Sequence, residues 1–194
     1  MAIFDKKYCD ICSKKIGLLG NRKLVDANMC KNCAALLSPF MTDRRKSTLA
    51  GVKAHLAYRE ANKAQVAALN VTRTLGSGMK VMIDEAAGKF IVTSSNNWRS
   101  ENPDVIALSQ VAGCEADIVE TRTEVMMKGD DGEEISYSPP KYDYEYDFFI
   151  AIRVDSPWFS EIKFQINSMC LERGSDDYKD CERLSNEIKQ ALAK

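Results

Sequence analysis

Four of the seven cysteines in this 194-residue chain fall in one short stretch, CDICSKKIGLLGNRKLVDANMCKNC, running from Cys9 to Cys33. Two residues separate Cys9 from Cys12, two separate Cys30 from Cys33, and seventeen lie between the pairs. Two intervening residues make a tight knuckle that aims both sulfurs at one point, and two knuckles at this spacing have the pattern of a zinc site. Together they complete a tetrahedron of thiolates, a shell that zinc accepts without geometric strain. The expected cofactor is therefore one Zn2+ per chain, held by Cys9, Cys12, Cys30 and Cys33. Four sulfurs leave no position open for water, so such a site is structural rather than catalytic. A redox pair would need a single C-x-x-C in a βαβ setting, and an iron–sulfur site also accepts four cysteines. The spacing favours zinc over both.

Other residues offer less chemistry. His55 is the only histidine; with four sulfurs at hand, it reads as a helix-surface or packing residue rather than a ligand or a base. Cys114, Cys170 and Cys181 are far apart in sequence and read as buried small hydrophobes. The carboxylates are many, but they fall at turns and on strand faces expected to be wet. No nucleophile elbow, phosphate loop or metal-activating histidine pair occurs. No catalytic residue is assigned, no residue is assigned to an organic cofactor, and the chain is not expected to be an enzyme.

The knuckles must be held by the chain between and after them. KKIGLLGNRKLV leads out with Gly17 and Gly20 at its bends, DAN at 26–28 turns back, and AALLSPF after Cys33 reads as a short helix halted near Pro39. Knuckle, hairpin, knuckle and helix make a small treble-clef or zinc-ribbon-like module over 1–40. A module of about 40 residues has too little core to fold alone, and the metal would supply the missing stability. The stretch after it reads as helix: Leu49, Val52 and Leu56 keep helical spacing, and Ser47 or Thr48 can cap the start. NVTRTLGSG at 70–78 reads as a linker, so residues 41–75 are helix and linker.

From Met79 the apolar period changes to two. Residues 79–94 read as a hairpin around DEAAGK, and NNWRSENPD as a loop. A long strand follows, with a break at Gly113 and a hairpin turn at GDDGEE. In YDYEYDFFIAIRV the even positions Tyr142 to Val154 are expected to be buried and the odd positions wet. Ile162, Phe164 and Ile166 alternate again. The chain closes on a helix with the apolar stripe Tyr178, Cys181, Leu184, Ile188 and Leu192. YSPPKY at 137–142 reads either as a polyproline turn or as a stiff loop that starts the next strand, and the second is preferred. Trp98 and Trp158 fall in predicted loops, where an exposed Trp is an interface anchor and an inward one covers the sheet.

This order, a meander of strands and then one amphipathic helix over about residues 79–194, resembles the pleckstrin-homology-like fold. The fold class is α+β: a zinc module at 1–40, a connecting helix, and at 76–194 a pleckstrin-homology-like antiparallel β domain with a C-terminal helix. The runner-up is another α+β sheet with helices on one face. The stretches CDICSKKIGLL, CKNCAALLSPF, HLAYREAN, NPDVIALSQVAGC and YSPPKYDYEYDFF are similar to a family of uncharacterised bacterial proteins with an N-terminal four-cysteine domain of unknown function. That resemblance implies zinc binding, no particular role, and relatives in bacteria or their phages.

Hydrophobic residues make up 45% of the chain, a normal share for a globular protein. No apolar run approaches the length of about 18 residues needed to cross a bilayer. The start, MAIFDKKYCD, lacks the apolar core of a signal peptide, which leads to the expectation of a cytoplasmic location, where structural disulfides are disfavoured. The net charge of −1 hides a split. Residues 1–65 carry 13 Lys and Arg against 5 Asp and Glu, a balance of +8, and residues 66–194 carry 14 against 23, a balance of −9. Four thiolates and one zinc would reduce the first balance to about +6.

The leading expectation is a non-enzymatic zinc-stabilised binding or adaptor protein whose partner is a protein, with the basic part docked on the acidic neighbour. The alternative is a nucleic-acid-binding zinc finger that uses Arg22, Lys23, Arg44, Arg45 and Lys46 on phosphates. Against it, the aromatic residues able to stack on bases are few in residues 1–65, namely Phe4, Tyr8, Phe40 and Tyr58. A membrane partner is not expected of the acidic domain.

Overall fold

The computed structural model describes residues 7–193. Phe4, counted among the aromatic residues, and the charges at Asp5 and Lys6 lie outside the described residues. The N-terminal module is built on strands β1 (Asn21–Lys23) and β2 (Asn28–Cys30), paired antiparallel with Asn21 opposite Cys30. Its turn is closed by Leu24 N–H donating to the Ala27 carbonyl at 2.9 Å. Helix α1 (Lys31–Ala34) starts immediately after β2. The order of knuckle, hairpin and helix is compatible with the treble-clef or zinc-ribbon-like expectation. A small core of Leu24, Met29, Leu37 and Val52 gathers around three of the cysteines.

Helix α2 (Leu49–Ala68) is capped by Thr48, whose side chain accepts from the Gly51 N–H. Its residues Val52, His55, Arg59, Asn62 and Val66 recur every three or four positions and are all buried. Two sheets follow. The first holds β3 (Arg73–Leu75), β4 (Lys80–Asp84), β5 (Lys89–Thr93) and β6 (Ile106–Ala107), with short helix α3 (Trp98–Glu101) between the last two. The second holds β7 (Val111–Lys128), β8 (Glu134–Val154) and β9 (Glu161–Gln165). Every pairing is antiparallel.

Helix α4 (Asp176–Leu192) closes the domain. The Ser175 hydroxyl caps it by accepting from Tyr178 N–H, and Asp176 and Asp177 lie in its first turn. Ile188 and Leu192 join Val81, Ile83, Phe90, Ile150, Ile152 and Ile162 in one core that unites both sheets and the helix. A four-stranded and a three-stranded antiparallel sheet capped by a C-terminal helix is compatible with the pleckstrin-homology-like expectation. Among the described residues, no helix is long and apolar enough to cross a membrane.

The structure corrects several expectations. Residues 70–78 are not all linker, because β3 forms there and pairs with β4. Only Leu75 of its three residues is buried, and Arg73 and Thr74 hide the alternation. The loop around Trp98 contains α3, and Trp98 is buried with Val66, Leu69, Ile91 and Val105, so it is no exposed anchor. That second cluster explains why β5 is apolar on both faces: the end of α2 covers the face turned away from the main core. In β8 the buried alternation holds from Tyr146 to Val154, whereas Tyr142 is half-buried and Tyr144 exposed, because the ribbon outruns the core. YSPPKY lies inside β8 rather than before it. The pairing jumps there from Val125↔Lys141 to Met126↔Ser136, leaving residues 137–140 as a bulge. Cys114 and Cys181 are half-buried and Cys170 is exposed, so none of the three is a core residue.

Candidate metal centre

The four cysteines converge. All four sulfurs of Cys9, Cys12, Cys30 and Cys33 lie within 4.8 Å of one another. Cys9 Sγ is 3.8 Å from Cys33 Sγ, and Cys12 Sγ is 3.8 Å from Cys30 Sγ. A tetrahedron with zinc–sulfur bonds of about 2.3 Å has sulfur–sulfur edges of about 3.8 Å, so the residues present fit that metal. Local backbone geometry sets the positions. After the first pair, Ser13 takes a left-handed conformation with φ 58° and its N–H donates to the Cys9 carbonyl at 2.7 Å. The second pair straddles the start of α1: Cys30 is the N-cap, and its sulfur accepts from the Cys33 N–H at 3.4 Å. Cys30 N–H in turn donates to Cys9 Sγ at 3.3 Å, tying one knuckle to the other.

These amides favour thiolates. At Cys9, burial raises the pKa, but backbone N–H groups of Cys30, Cys12 and Ile11 outweigh it and bring the thiol to about 6. Cys30 is lowered, chiefly by the Cys33 amide. Cys33 is raised, by burial first and then by the neighbouring sulfurs. Four sulfurs this close cannot all ionise unless a cation shares the site. Cys9, Cys30 and Cys33 are buried and Cys12 is half-buried, so the shell is closed rather than open to substrate.

The module is joined to the sheet domain through Asp104. Asp104 accepts from Arg59 Nη1 at 2.8 Å, Ser38 Oγ at 2.7 Å and Tyr58 OH at 3.2 Å. The Arg59 and Asp104 side chains are only 10% and 0% exposed. Burial and then Asp104 push the Tyr58 hydroxyl above its ordinary pKa. Beside this pair His55 is fully buried, with ring centroids 5.0 Å from Trp158 and 5.7 Å from Tyr58, and neither ring nitrogen has a partner. Burial holds its pKa below the ordinary imidazole value, with Asp104 pulling up and Arg59 pressing down. Phe40 meets Phe159 at 5.5 Å along the same seam. His55 is thus a packing residue. The network itself left no local mark in the sequence, because Arg59 and Asp104 are 45 positions apart.

The basic residues divide. Arg22, Lys23, Arg44 and Arg45 line one cleft of about 630 Å³ with Asn21, Leu24 and Val25. Lys46 is outside that lining and pairs with Asp43 at 3.2 Å. Among the described residues, Arg59–Asp104 is the one ion pair between the basic N-terminal part and the acidic domain. The charge split is therefore not neutralised at the seam.

A closed four-thiol cluster in a small module joined to an antiparallel sheet domain defines the class: a protein with an N-terminal cysteine-rich module able to hold a metal ion. Residues 7–55 match the family model described as "Domain of unknown function (DUF4428)". Comparison with curated proteins and with solved structures finds no match.

Proposed function

We propose that this protein is a non-enzymatic binding protein whose N-terminal module is held by one structural zinc. Cys9, Cys12, Cys30 and Cys33 would hold the ion, which supplies folding stability to a module with a small core of its own. The observation that supports the reading is the buried seam at Asp104, which ties the module to the sheet domain through Ser38, Tyr58 and Arg59. The burial of His55 supports a non-catalytic role, because the one imidazole of the chain cannot reach a substrate.

A second reading has its own observation: Arg22, Lys23, Arg44 and Arg45 converge on one cleft that could follow a phosphate backbone. Titrating the full-length zinc-loaded chain into labelled DNA and RNA separates the two. The binding-protein reading expects no measurable affinity near physiological ionic strength. Micromolar or tighter binding that falls steeply with salt, and that is lost in the Arg44→Ala/Arg45→Ala variant, would replace it with the second reading.

A further inference from the structure

The ribbon of β7 and β8 runs past every element that could cover it. Strand β9 lies only against Phe149–Arg153, and the last support is Tyr146, which meets Tyr178 of α4 and bridges to Leu171. Beyond it, the pairs from Thr121↔Glu145 to Lys128↔Glu134 form a two-stranded arm. At about 3.4 Å per residue the arm projects roughly 25 Å. A lone ribbon of two strands is marginal in water and bares both of its edges. This one also exposes Met126, Met127, Ile135 and Tyr144. The arm, residues 121–145, carries 7 Asp and Glu against 3 Lys and Arg, a balance of −4. Two of those three cations sit on the arm's own rings, Arg122 over Tyr142 and Lys141 over Tyr137. Among the described residues, none of the arm's seven acids forms an ion pair.

The complementary surface is on the metal module. Leu18 and Leu19 are 84% and 88% exposed, at the tip of the loop between the knuckles. They line a concavity of about 370 Å³ together with Lys14, Lys15 and Lys31. Among the described residues, none of these lysines pairs with a carboxylate. We infer that the acidic, methionine-tipped arm docks into the lysine-rimmed concavity of a second copy of this chain, reciprocally, so that two copies exchange arms. The inference rests on the binding-protein reading and names its partner. Charge selects the fit: the arm's balance of −4 meets the three lysines, Lys14, Lys15 and Lys31, that rim the concavity. The adaptable Met126 and Met127 fill the apolar floor. One arm and one socket per copy close around a two-fold axis.

Sedimentation velocity of the full-length zinc-loaded chain at low ionic strength tests this. A dimer is expected, weakened roughly tenfold or more when salt is raised. Met126→Glu/Met127→Glu and Leu18→Glu/Leu19→Glu alter exposed residues only, and each variant alone should be monomeric with its zinc and circular dichroism unchanged. Mixed in equal amounts, they should recover a dimer weaker than wild type, because one intact arm and one intact socket remain. A wild-type monomer throughout, or a dimer insensitive to Leu18→Glu/Leu19→Glu, overturns the arm exchange. A monomer that binds some other protein leaves the binding-protein reading standing, whereas tight nucleic-acid binding removes both.

Discussion

Replacing Asp104 by Ala removes the acceptor shared by Arg59, Ser38 and Tyr58 and leaves a guanidinium in a nearly closed seam. Arg59 keeps only its Nε bond to the Leu36 carbonyl at 3.3 Å. Breaking a buried pair by deleting one partner costs about 3–5 kcal/mol, mostly from the charge left uncompensated. For a chain of this length, each kcal/mol lowers the melting temperature by about 2–4 °C, so the expected drop is on the order of 10 °C. Arg59→Met/Asp104→Leu removes both charges together and should recover most of the loss, with a coupling of about 2 kcal/mol or more between the two sites. The assay is urea and thermal unfolding of zinc-loaded protein, with each single variant, the double variant and Ser38→Ala compared. A loss below about 1 kcal/mol for Asp104→Ala would refute the reasoning, as would a double variant that costs the sum of the two singles.

Four further outcomes are expected. His55 holds its proton less well in the folded chain than in the unfolded chain, whose value is about 6.5, so stability should fall as pH drops through and below that value and level off below the folded pKa; in His55→Leu that acid-side loss should vanish from pH-dependent unfolding curves. Cys30→Ser should release the metal and unmake the knuckles and the β1–β2 hairpin, read as loss of amide dispersion for residues 7–40 in heteronuclear NMR spectra. Gly76→Ala forces a side chain into a φ of +91° and against the Met79 carbonyl, and should cost more than about 1 kcal/mol in urea unfolding. Ser13→Val, at φ 58°, should weaken the first knuckle by about 1–2 kcal/mol, measured as a lower midpoint for metal loss to a chelator.

What the sequence discloses follows from how local each determinant is. The cysteine pairs announce themselves because a knuckle is built within four residues, and the last helix does so because its stripe recurs every turn. Hairpins at 79–94 and around GDDGEE are legible from alternation and turn residues. Strand β3 is not, since three residues with one buried side chain carry no period. Tyr142 and Tyr144 continue the alternation of Tyr146 and Phe148, yet they lie on a bare arm, because alternation marks a sheet face without saying whether anything covers it. The Asp104 network needs residues from three distant stretches, 38, 58–59 and 104, and no spacing rule joins them. The cleft of Arg22, Lys23, Arg44 and Arg45 was legible as a list of charges, while its convergence depended on how the turn at 44–46 folds back on β1.

Native mass spectrometry of the full-length chain, purified under reducing conditions without added metal, tests the central claim most directly. The account predicts one zinc per chain, and loss of that species in Cys30→Ser. A metal-free chain, or one carrying the mass of an iron–sulfur cluster, would contradict it.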